Sequence, residues 1–350
     1  MNTTNTQSRA TGTGVSEASR PAHDTHTLRL VDLSVTFRGF EGTARVVDRA
    51  NLEVTTGELI GIVGETGCGK SVLMRSMLDL LPTPPAQIEG SVEFDGTNLR
   101  GLSPRARRAV VLAHFNMVFQ DPVGSLNPVF TVGSQMREVL QQASRRAHQR
   151  LSRGQLDERA ITLLRRVQLD DPERVLRAYS FQLSGGMNQR ISIALALSTD
   201  PWLIVADEPT TALDVTVQAE ILSLFTRLVR EEGRSALLIT HSMGVVRTVT
   251  DRVAVMYAGV VVEQASTEEL FANPRHPYTV ALLECVPRLT GQVMAKGIPG
   301  TLPNYTAAPS GCRFHPRCPH AMPICAESRP PAFAVGQGDH RVACWLYDGR

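Results

Sequence analysis

Eight consecutive residues have the spacing G-x-x-x-x-G-K-S: Gly64, Glu65, Thr66, Gly67, Cys68, Gly69, Lys70 and Ser71. This spacing is typical of a phosphate-binding loop that joins a strand to a helix. Its glycines allow backbone N–H groups to turn toward phosphate oxygens, and the positive end of the following helix adds to the attraction. Lys70 adds a point charge, and the Ser71 hydroxyl is suited to bind Mg²⁺. The segment therefore predicts that the chain binds nucleotide phosphates together with Mg²⁺.

The residues on either side of this loop fit that prediction. The apolar run 59–63 predicts a strand directly before the loop, and residues 72–81 predict a helix directly after it. A loop of this kind does not by itself say which phosphate chemistry follows. Later segments add that information, and they contain Gln120, the triplet Ser184-Gly185-Gly186, the pair Asp207-Glu208, Asp214 and His241.

Two carboxylates follow the short apolar run 203–206, which predicts a buried parallel strand. Active sites of open α/β sheets lie beyond the carboxyl ends of their strands, where Asp207 and Glu208 stand. Their chemistry suits Asp207 to the Mg²⁺ shell and Glu208 to polarising the attacking water. The alternative is a pair of solvated carboxylates before a turn. His241 follows another apolar run, 236–239, and from there it could contact the γ-phosphate.

The triplet that begins at Ser184 predicts the start of a helix that runs to about Leu197. Ser184 is suited to be its N-cap, with Gly185 and Gly186 in the first turn. Such a helix N-terminus attracts anions.

Taken together, these ordered segments resemble the ATP-binding subunit of an ABC transporter, from about residue 28 to the C-terminus. The resemblance implies that ATP and Mg²⁺ are bound by the loop, Gln120, Asp207 and Asp214, with Glu208 and His241 catalytic. It also implies that the triplet at Ser184 faces the ATP of a second ATPase subunit, so that hydrolysis requires a dimer. Gln120 is then expected to contact both Mg²⁺ and a membrane partner.

Some positions depart from the commonest family pattern, and two of them affect the expected site. Cys68 stands where serine is usual, and its place at a helix N-terminus predicts a lowered thiol pKa. The aromatic residue that would stack on adenine is not in its usual place. Phe37 or Phe40 could serve instead, although core packing is an equal reading for Phe37.

Two C-terminal segments, 273–279 and 311–319, are similar to the ATPases of dipeptide and oligopeptide importers. Nickel importers and other solute importers of the same group share these features. We therefore expect an ATPase that powers import of peptides, with nickel or another solute as the alternative. A soluble ABC ATPase acting on ribosomes or DNA, a redox sensor and a phosphotransferase fit the motifs less well.

Four of the six cysteines fall in the C-terminal region: Cys312, Cys318, Cys325 and Cys344. Clustered cysteines in a cytosolic protein more often bind metal than form disulfides. Their spacing does not choose the metal. Resemblance to the peptide-importer group implies a 4Fe-4S cluster on these residues, with Zn²⁺ as the alternative. The remaining reading is four reduced, partly buried thiols.

Composition and length set the remaining expectations. The chain has 350 residues, is 42% hydrophobic and carries a net charge of +2, which gives no argument for nucleic-acid binding. We predict an α/β P-loop NTPase fold with an N-terminal antiparallel β subdomain. The expected regions are a disordered tail (1–27), a nucleotide-binding domain (28–272) with a helical subdomain at about 120–195, and a Cys-rich C-terminal region (273–350).

The resemblance also implies partners and a location. These are a second ATPase subunit that is a different chain, two transmembrane permeases and an extracytoplasmic solute-binding protein. No secretory signal or apolar segment of spanning length occurs in the sequence, so we expect a peripheral protein at the cytoplasmic face of a bacterial inner membrane.

Overall fold

A computed structural model describes residues 25–349 except 41, 212, 287–296 and 337. Most of the predicted tail, residues 1–24, lies outside the described residues. Thr27, which was assigned to that tail, is already the first residue of a strand.

The strands, numbered in chain order, are β1 Thr27–Gly39, β2 Gly42–Thr55, β3 Leu59–Val63, β4 Ala86–Phe94, β5 Thr97–Asn98, β6 Phe115–Val118, β7 Leu203–Asp207, β8 Ser235–Thr240, β9 Arg252–Tyr257, β10 Val260–Ser266, β11 Phe333–Ala334 and β12 Arg341–Val342. The α-helices are α1 Lys70–Met77, α2 Pro104–His114, α3 Val132–Arg146, α4 Arg153–Arg166, α5 Pro172–Arg177, α6 Gly185–Leu197, α7 Val215–Glu232, α8 Met243–Val249, α9 Thr267–Ala272, α10 Pro277–Glu284 and α11 Pro323–Glu327.

Two sheets organise the described part of the chain. The N-terminal sheet is antiparallel, with the order β2-β1-β4-β5, which confirms the predicted antiparallel subdomain. The larger sheet has the order β11-β12-β10-β9-β3-β8-β7-β6. Its strands from β9 to β6 are parallel, and β10, β12 and β11 extend it in antiparallel fashion. The α/β fold class predicted from the sequence is therefore confirmed.

The central strands β3, β7 and β8 are buried along their whole length. Their continuous apolar sequences fit this position, because helices or a second sheet cover both faces of a parallel sheet. Alternate residues enter different cores: Leu203 and Val205 join the cluster with the antiparallel sheet and α1, whereas Ile204 and Ala206 join the cluster with the long helices. Because β3, β8 and β7 are parallel neighbours, their carboxyl ends meet at one edge of the sheet.

The part of the chain between β6 and β7 is helical, as predicted. Helices α3 and α4 bury their apolar faces in the second cluster, and serine or threonine side chains cap their first turns. Ser152 and Gln155 form a complete capping box at the start of α4. Helix α1 spans Lys70–Met77, whereas the sequence predicted 72–81. It ends earlier because Asp79 takes a left-handed backbone conformation, with φ 57°.

The C-terminal residues pack onto the larger sheet. Strand β12 pairs with β10, and Phe314 and Tyr278 are buried in a third cluster together with Val63, the last residue of β3. This cluster connects the C-terminal region directly to the strand that leads into the phosphate loop.

The outer edge of β2 is covered by side chains from the rest of the molecule. Arg313 donates to the carbonyl of Arg45, Gln264 to that of Asn51, Arg252 to that of Glu53, and Arg329 to those of Asp48 and Arg49. The outward backbone acceptors of this long strand are therefore largely satisfied without a further strand.

Within the described ranges, none of the helices is both long enough and apolar enough to span a membrane.

Candidate functional site

The phosphate loop joins the end of β3 to the start of α1. The Lys70 ammonium is buried and donates to the carbonyls of Gly64, at 2.8 Å, and Glu65, at 3.0 Å. This places a positive charge inside the turn of the loop, where the sequence predicted contact with phosphate oxygens. A charge held by backbone carbonyls at such a site is suited to attract an anionic group.

Two glycines of the loop are required by backbone contacts on its outer side. Gly64 has φ 153°, and a Cβ there would lie 2.1 Å from the carbonyl oxygen of Met256 on β9. Gly69 has φ 102°, and its Cβ would lie 2.9 Å from the carbonyl oxygen of Val46 on β2. The loop is therefore pressed against two strands, and glycine is needed both for conformation and for space.

The groups suited to Mg²⁺ lie together. The Ser71 hydroxyl donates to Asp207 Oδ1 at 2.9 Å, which joins the start of α1 to the end of β7. Hydroxyl and carboxylate oxygens are ligands that Mg²⁺ prefers. Burial raises the pKa of Asp207, and the hydrogen bond from Ser71 and the charge of Arg75 oppose that rise. A nearby divalent cation would favour the ionised carboxylate, so the pair fits a Mg²⁺ ion.

Glu208 is the centre of a second group of polar side chains. Its Oε2 accepts from Gln120 Nε2 at 3.1 Å and from Thr211 Oγ1 at 2.9 Å. Its Oε1 lies 3.3 Å from His241 Nδ1. The sequence nominated Gln120, Glu208 and His241 separately, and the structure brings all three together. Thr211 was not nominated, although its place three residues after Glu208 in a turn was a usable signal.

Strand register explains why these side chains converge. Asp207 is opposite Ile239 on β8, and the Glu208 N–H donates to the Ile239 carbonyl at 2.9 Å. Because β7 and β8 are parallel neighbours, Glu208 and His241 leave the sheet at the same edge. Glu208 has φ 46°, a left-handed conformation that is costly for a residue with a side chain and is often found at functional sites.

The triplet at Ser184 forms the start of α6. Ser184 is the N-cap of α6, and its Oγ accepts from the Met187 N–H at 3.2 Å, which confirms the predicted cap. Ser184 and Gly185 are exposed. Asp214 caps α7 by accepting from the Val217 N–H at 2.9 Å. The roles predicted for these residues toward ATP remain predictions.

The expectation for the Cys68 thiol is wrong in direction. Cys68 is fully buried, and burial raises its pKa, although Lys70 nearby opposes the rise. Burial outweighs the helix N-terminus because the thiol faces protein atoms rather than solvent. The two candidate aromatics also differ: Phe37 packs against the first core cluster, whereas Phe40 is fully exposed.

The predicted 4Fe-4S cluster is also wrong. Nowhere in the ranges that the structure covers do three or more His, Cys, Asp or Glu side chains form a group that could hold a metal ion, which also argues against Zn²⁺. Cys312, Cys318, Cys325 and Cys344 are instead free thiols. Burial raises the pKa of Cys312 and of Cys344 to about 11, so these thiols remain protonated at neutral pH. The reading of four reduced, partly buried thiols stays a prediction.

The sequence also did not identify the C-terminal residues that touch the phosphate loop. Tyr278, Tyr305 and Arg317 each bond to residues 65–67 of the loop. These contacts join positions more than 200 residues apart, so no local signal could reveal them.

Comparison with known proteins shows the family to which this chain belongs. Residues 47–211 match the family model described as ABC transporter, and residues 262–325 match the oligopeptide/dipeptide transporter, C-terminal region. The oligopeptide transport ATP-binding protein OppD of Bacillus subtilis is 42% identical over 92% of this chain and 89% of its own length. The chain belongs to the ABC transporter family. A further ABC relative, the dipeptide transport ATP-binding protein DppD of B. subtilis, is 42% identical over 92% of this chain and 95% of its own length.

Another ABC relative, from Sinorhizobium fredii, is named as a probable peptide ABC transporter ATP-binding protein and is 47% identical over 90% of this chain and 93% of its own length. Among solved structures, the ABC fold recurs in a dimeric ATP-binding cassette bound to ADP and phosphate. That cassette has a TM-score of 0.60 and 26% identity, over 69% of this chain and 98% of its own.

Proposed function

We propose that this chain is the ATP-hydrolysing subunit that powers import of dipeptides and oligopeptides across the bacterial inner membrane. The observation that carries the proposal is the joint position of the Ser71–Asp207 pair and of Glu208 beside the phosphate loop. The match of residues 262–325 to the C-terminal region of oligopeptide/dipeptide transporters supports peptides as the substrate class.

The chain's own residues divide the work of hydrolysis. Lys70 and the loop backbone bind and orient the phosphates of ATP, and Ser71 and Asp207 would hold Mg²⁺, which neutralises phosphate charge when bound. Glu208 accepts a hydrogen bond from the attacking water and orients it toward the γ-phosphorus. Gln120 and Thr211 fix the Glu208 carboxylate, and His241 lies where it can contact the γ-phosphate.

The proposed assembly is supported by the exposure of Ser184 and Gly185 at the start of α6. An exposed helix N-terminus is suited to a phosphate held by another subunit. We therefore propose that two ATPase subunits, of which the second is a different chain, enclose two nucleotides and dock on two permeases at the cytoplasmic face. An extracytoplasmic solute-binding protein would deliver the peptide. ATP drives the cycle only if it binds the closed dimer more tightly than the open one.

The test compares one variant with a matched control. Glu208→Gln should retain MgATP binding, accumulate a dimer and lose about a hundredfold or more of phosphate release, because the water loses its base. The matched control is Glu231→Gln, an exposed glutamate on α7, which should behave like the wild type. Uptake of labelled dipeptides by cells should fall with Glu208→Gln alone. Normal phosphate release in that variant would remove Glu208 from its role, and uptake of nickel rather than peptides would reassign the substrate.

A further inference from the structure

Three side chains of the C-terminal region bond to the outer side of the phosphate loop. The Tyr278 hydroxyl accepts from the Glu65 N–H at 2.9 Å. The Tyr305 hydroxyl donates to the Gly67 carbonyl at 2.7 Å. Arg317 Nη1 donates to both carboxylate oxygens of Glu65, at 3.1 and 3.2 Å. The backbone and the side chain of the loop are thus both attached to the C-terminal region.

Two of the groups that make these contacts, Tyr278 and Arg317, are themselves held by several neighbours. Tyr278 is fully buried, and its ring lies 4.7 Å from that of Tyr257 and 5.4 Å from that of Phe314. The side chain of Arg317 is only 6% exposed, and it also donates to the Tyr257 hydroxyl and to the Pro299 carbonyl. A packed ring cluster and a planar guanidinium fork have few alternative positions. They can therefore fix the loop rather than follow it.

These contacts bear on the groups that face the nucleotide. The peptide units of Glu65 are held from two sides, because its N–H donates to Tyr278 and its carbonyl accepts from Lys70 at 3.0 Å. Lys70 is the charge that we assign to the phosphates. Loosening the outer attachment would therefore disturb both the loop backbone and the position of that charge.

We propose that Tyr278, Tyr305 and Arg317 are positioning residues for the phosphate loop, so that the C-terminal region sets the affinity for ATP. The inference rests on the proposed function, because it takes ATP as the ligand of the loop. It adds a role for the C-terminal region that is separate from solute specificity. Coupling of this kind is reciprocal, so ATP should also stabilise the C-terminal region.

The first test compares two tyrosines that differ in what their hydroxyl touches. Tyr278→Phe removes the acceptor of the loop N–H, whereas Tyr347→Phe removes a hydroxyl that donates to the Arg275 carbonyl at 3.0 Å, within the C-terminal region. Calorimetry with MgATP and the full chain should show affinity about three- to tenfold weaker for Tyr278→Phe and unchanged for Tyr347→Phe. Equal affinities for the two variants and the wild type would overturn the proposal.

The rise in Tm that MgATP produces distinguishes a positioning role of Tyr278 from a purely structural one. Tyr278→Phe and Tyr347→Phe should both lower the Tm without nucleotide, but only the former should show a smaller rise with MgATP, since that rise depends on affinity. A lower Tm with an unchanged rise in both variants would mean that Tyr278 is structural only.

Two experiments test Arg317: a conservative replacement and a double-mutant cycle with Glu65. Arg317→Lys keeps the charge without the fork and should bind MgATP more tightly than Arg317→Ala. Glu65→Gln should weaken binding in the wild type and have little further effect in Arg317→Ala, because the partner is already absent. Additive effects would remove the Arg317–Glu65 contact from the proposal. A wild-type chain that does not bind MgATP would instead refute the proposed function.

Discussion

At the scale of single residues, several contacts that the sequence motif did not reveal hold Glu208 in place. Its backbone is left-handed, and its carboxylate has partners on three separate segments, in Gln120, Thr211 and His241. A general base must be within hydrogen-bond reach of its water and in one orientation. The surrounding hydrogen bonds supply that orientation before any substrate binds.

Thr211→Val provides a test of this orientation. Valine keeps the shape of threonine but removes the hydroxyl that donates to Glu208 Oε2 at 2.9 Å. We expect kcat to fall about three- to tenfold with little change in KM for MgATP, because the hydroxyl contacts Glu208, our proposed base, and not the groups proposed to bind the nucleotide. Steady-state phosphate release measures both constants. A matched change at the neighbouring Thr210 should leave kcat near the wild-type value, and an equal loss in both variants would argue against the role of Thr211.

The sequence predicted the groups that sit in contiguous motifs and missed those that reach the site from elsewhere. Lys70, Ser71 and Asp207 could be nominated because a loop spacing or the end of a strand marks them. Tyr278 and Arg317 could not, since only the tertiary fold places them against the loop. The metal prediction for the cysteines was wrong for a different reason. Their spacing was compatible with metal binding, but residues with compatible spacing need not place their side chains around one ion.

At the scale of elements, the beginning of α10 contains a buried histidine. His276 is the N-cap of this helix, and its Nδ1 accepts from the Tyr278 N–H at 3.0 Å. Its own N–H donates to Glu263 Oε2 at 2.9 Å. Burial lowers the pKa of His276 to about 3 from its ordinary value of 6.5, so the imidazole stays neutral in the native protein.

This pKa predicts how stability depends on pH. Between about pH 3 and pH 6.5 the unfolded chain binds a proton at His276 that the native protein does not, so stability rises with pH in this window and is lost as pH falls. The slope from one such group is at most about 1.4 kcal/mol per pH unit. His276→Asn keeps an acceptor at the N-cap without a proton site, and it should reduce the slope.

Urea unfolding at several pH values measures this slope. His148→Asn, a change at an exposed histidine, is the control and should leave the slope near that of the wild type. An unchanged slope in His276→Asn would show that His276 does not govern the acid sensitivity.

At the scale of the whole molecule, the C-terminal region is part of the core that supports the ATP site. Phe314 is 1% exposed, and its ring lies 5.0 Å from that of Tyr257 on β9 and 5.4 Å from that of Tyr278 on α10. The same cluster includes Val63, which directly precedes the phosphate loop. Loss of packing there should therefore weaken the molecule as a unit and not only its C-terminal part.

Phe314→Ala should lower the free energy of unfolding by about 3–5 kcal/mol, as removal of a fully buried aromatic ring does. Chemical denaturation followed by circular dichroism gives this value. Phe40→Ala is the matched control, because Phe40 is fully exposed and its removal should change stability little. A small effect of Phe314→Ala would mean that the C-terminal region is not part of the cooperative core.

The covered edge of β2 has a consequence for behaviour at high concentration. A long open strand edge can recruit a strand from another molecule and so begin aggregation. Here arginine and glutamine side chains already occupy the outward carbonyls of β2, while the ends of the larger sheet are β6, with four residues, and β11, with two. Arg329, which fastens the C-terminal region to the N-terminal sheet, thereby also shields the edge of β2 from pairing with a strand of another molecule.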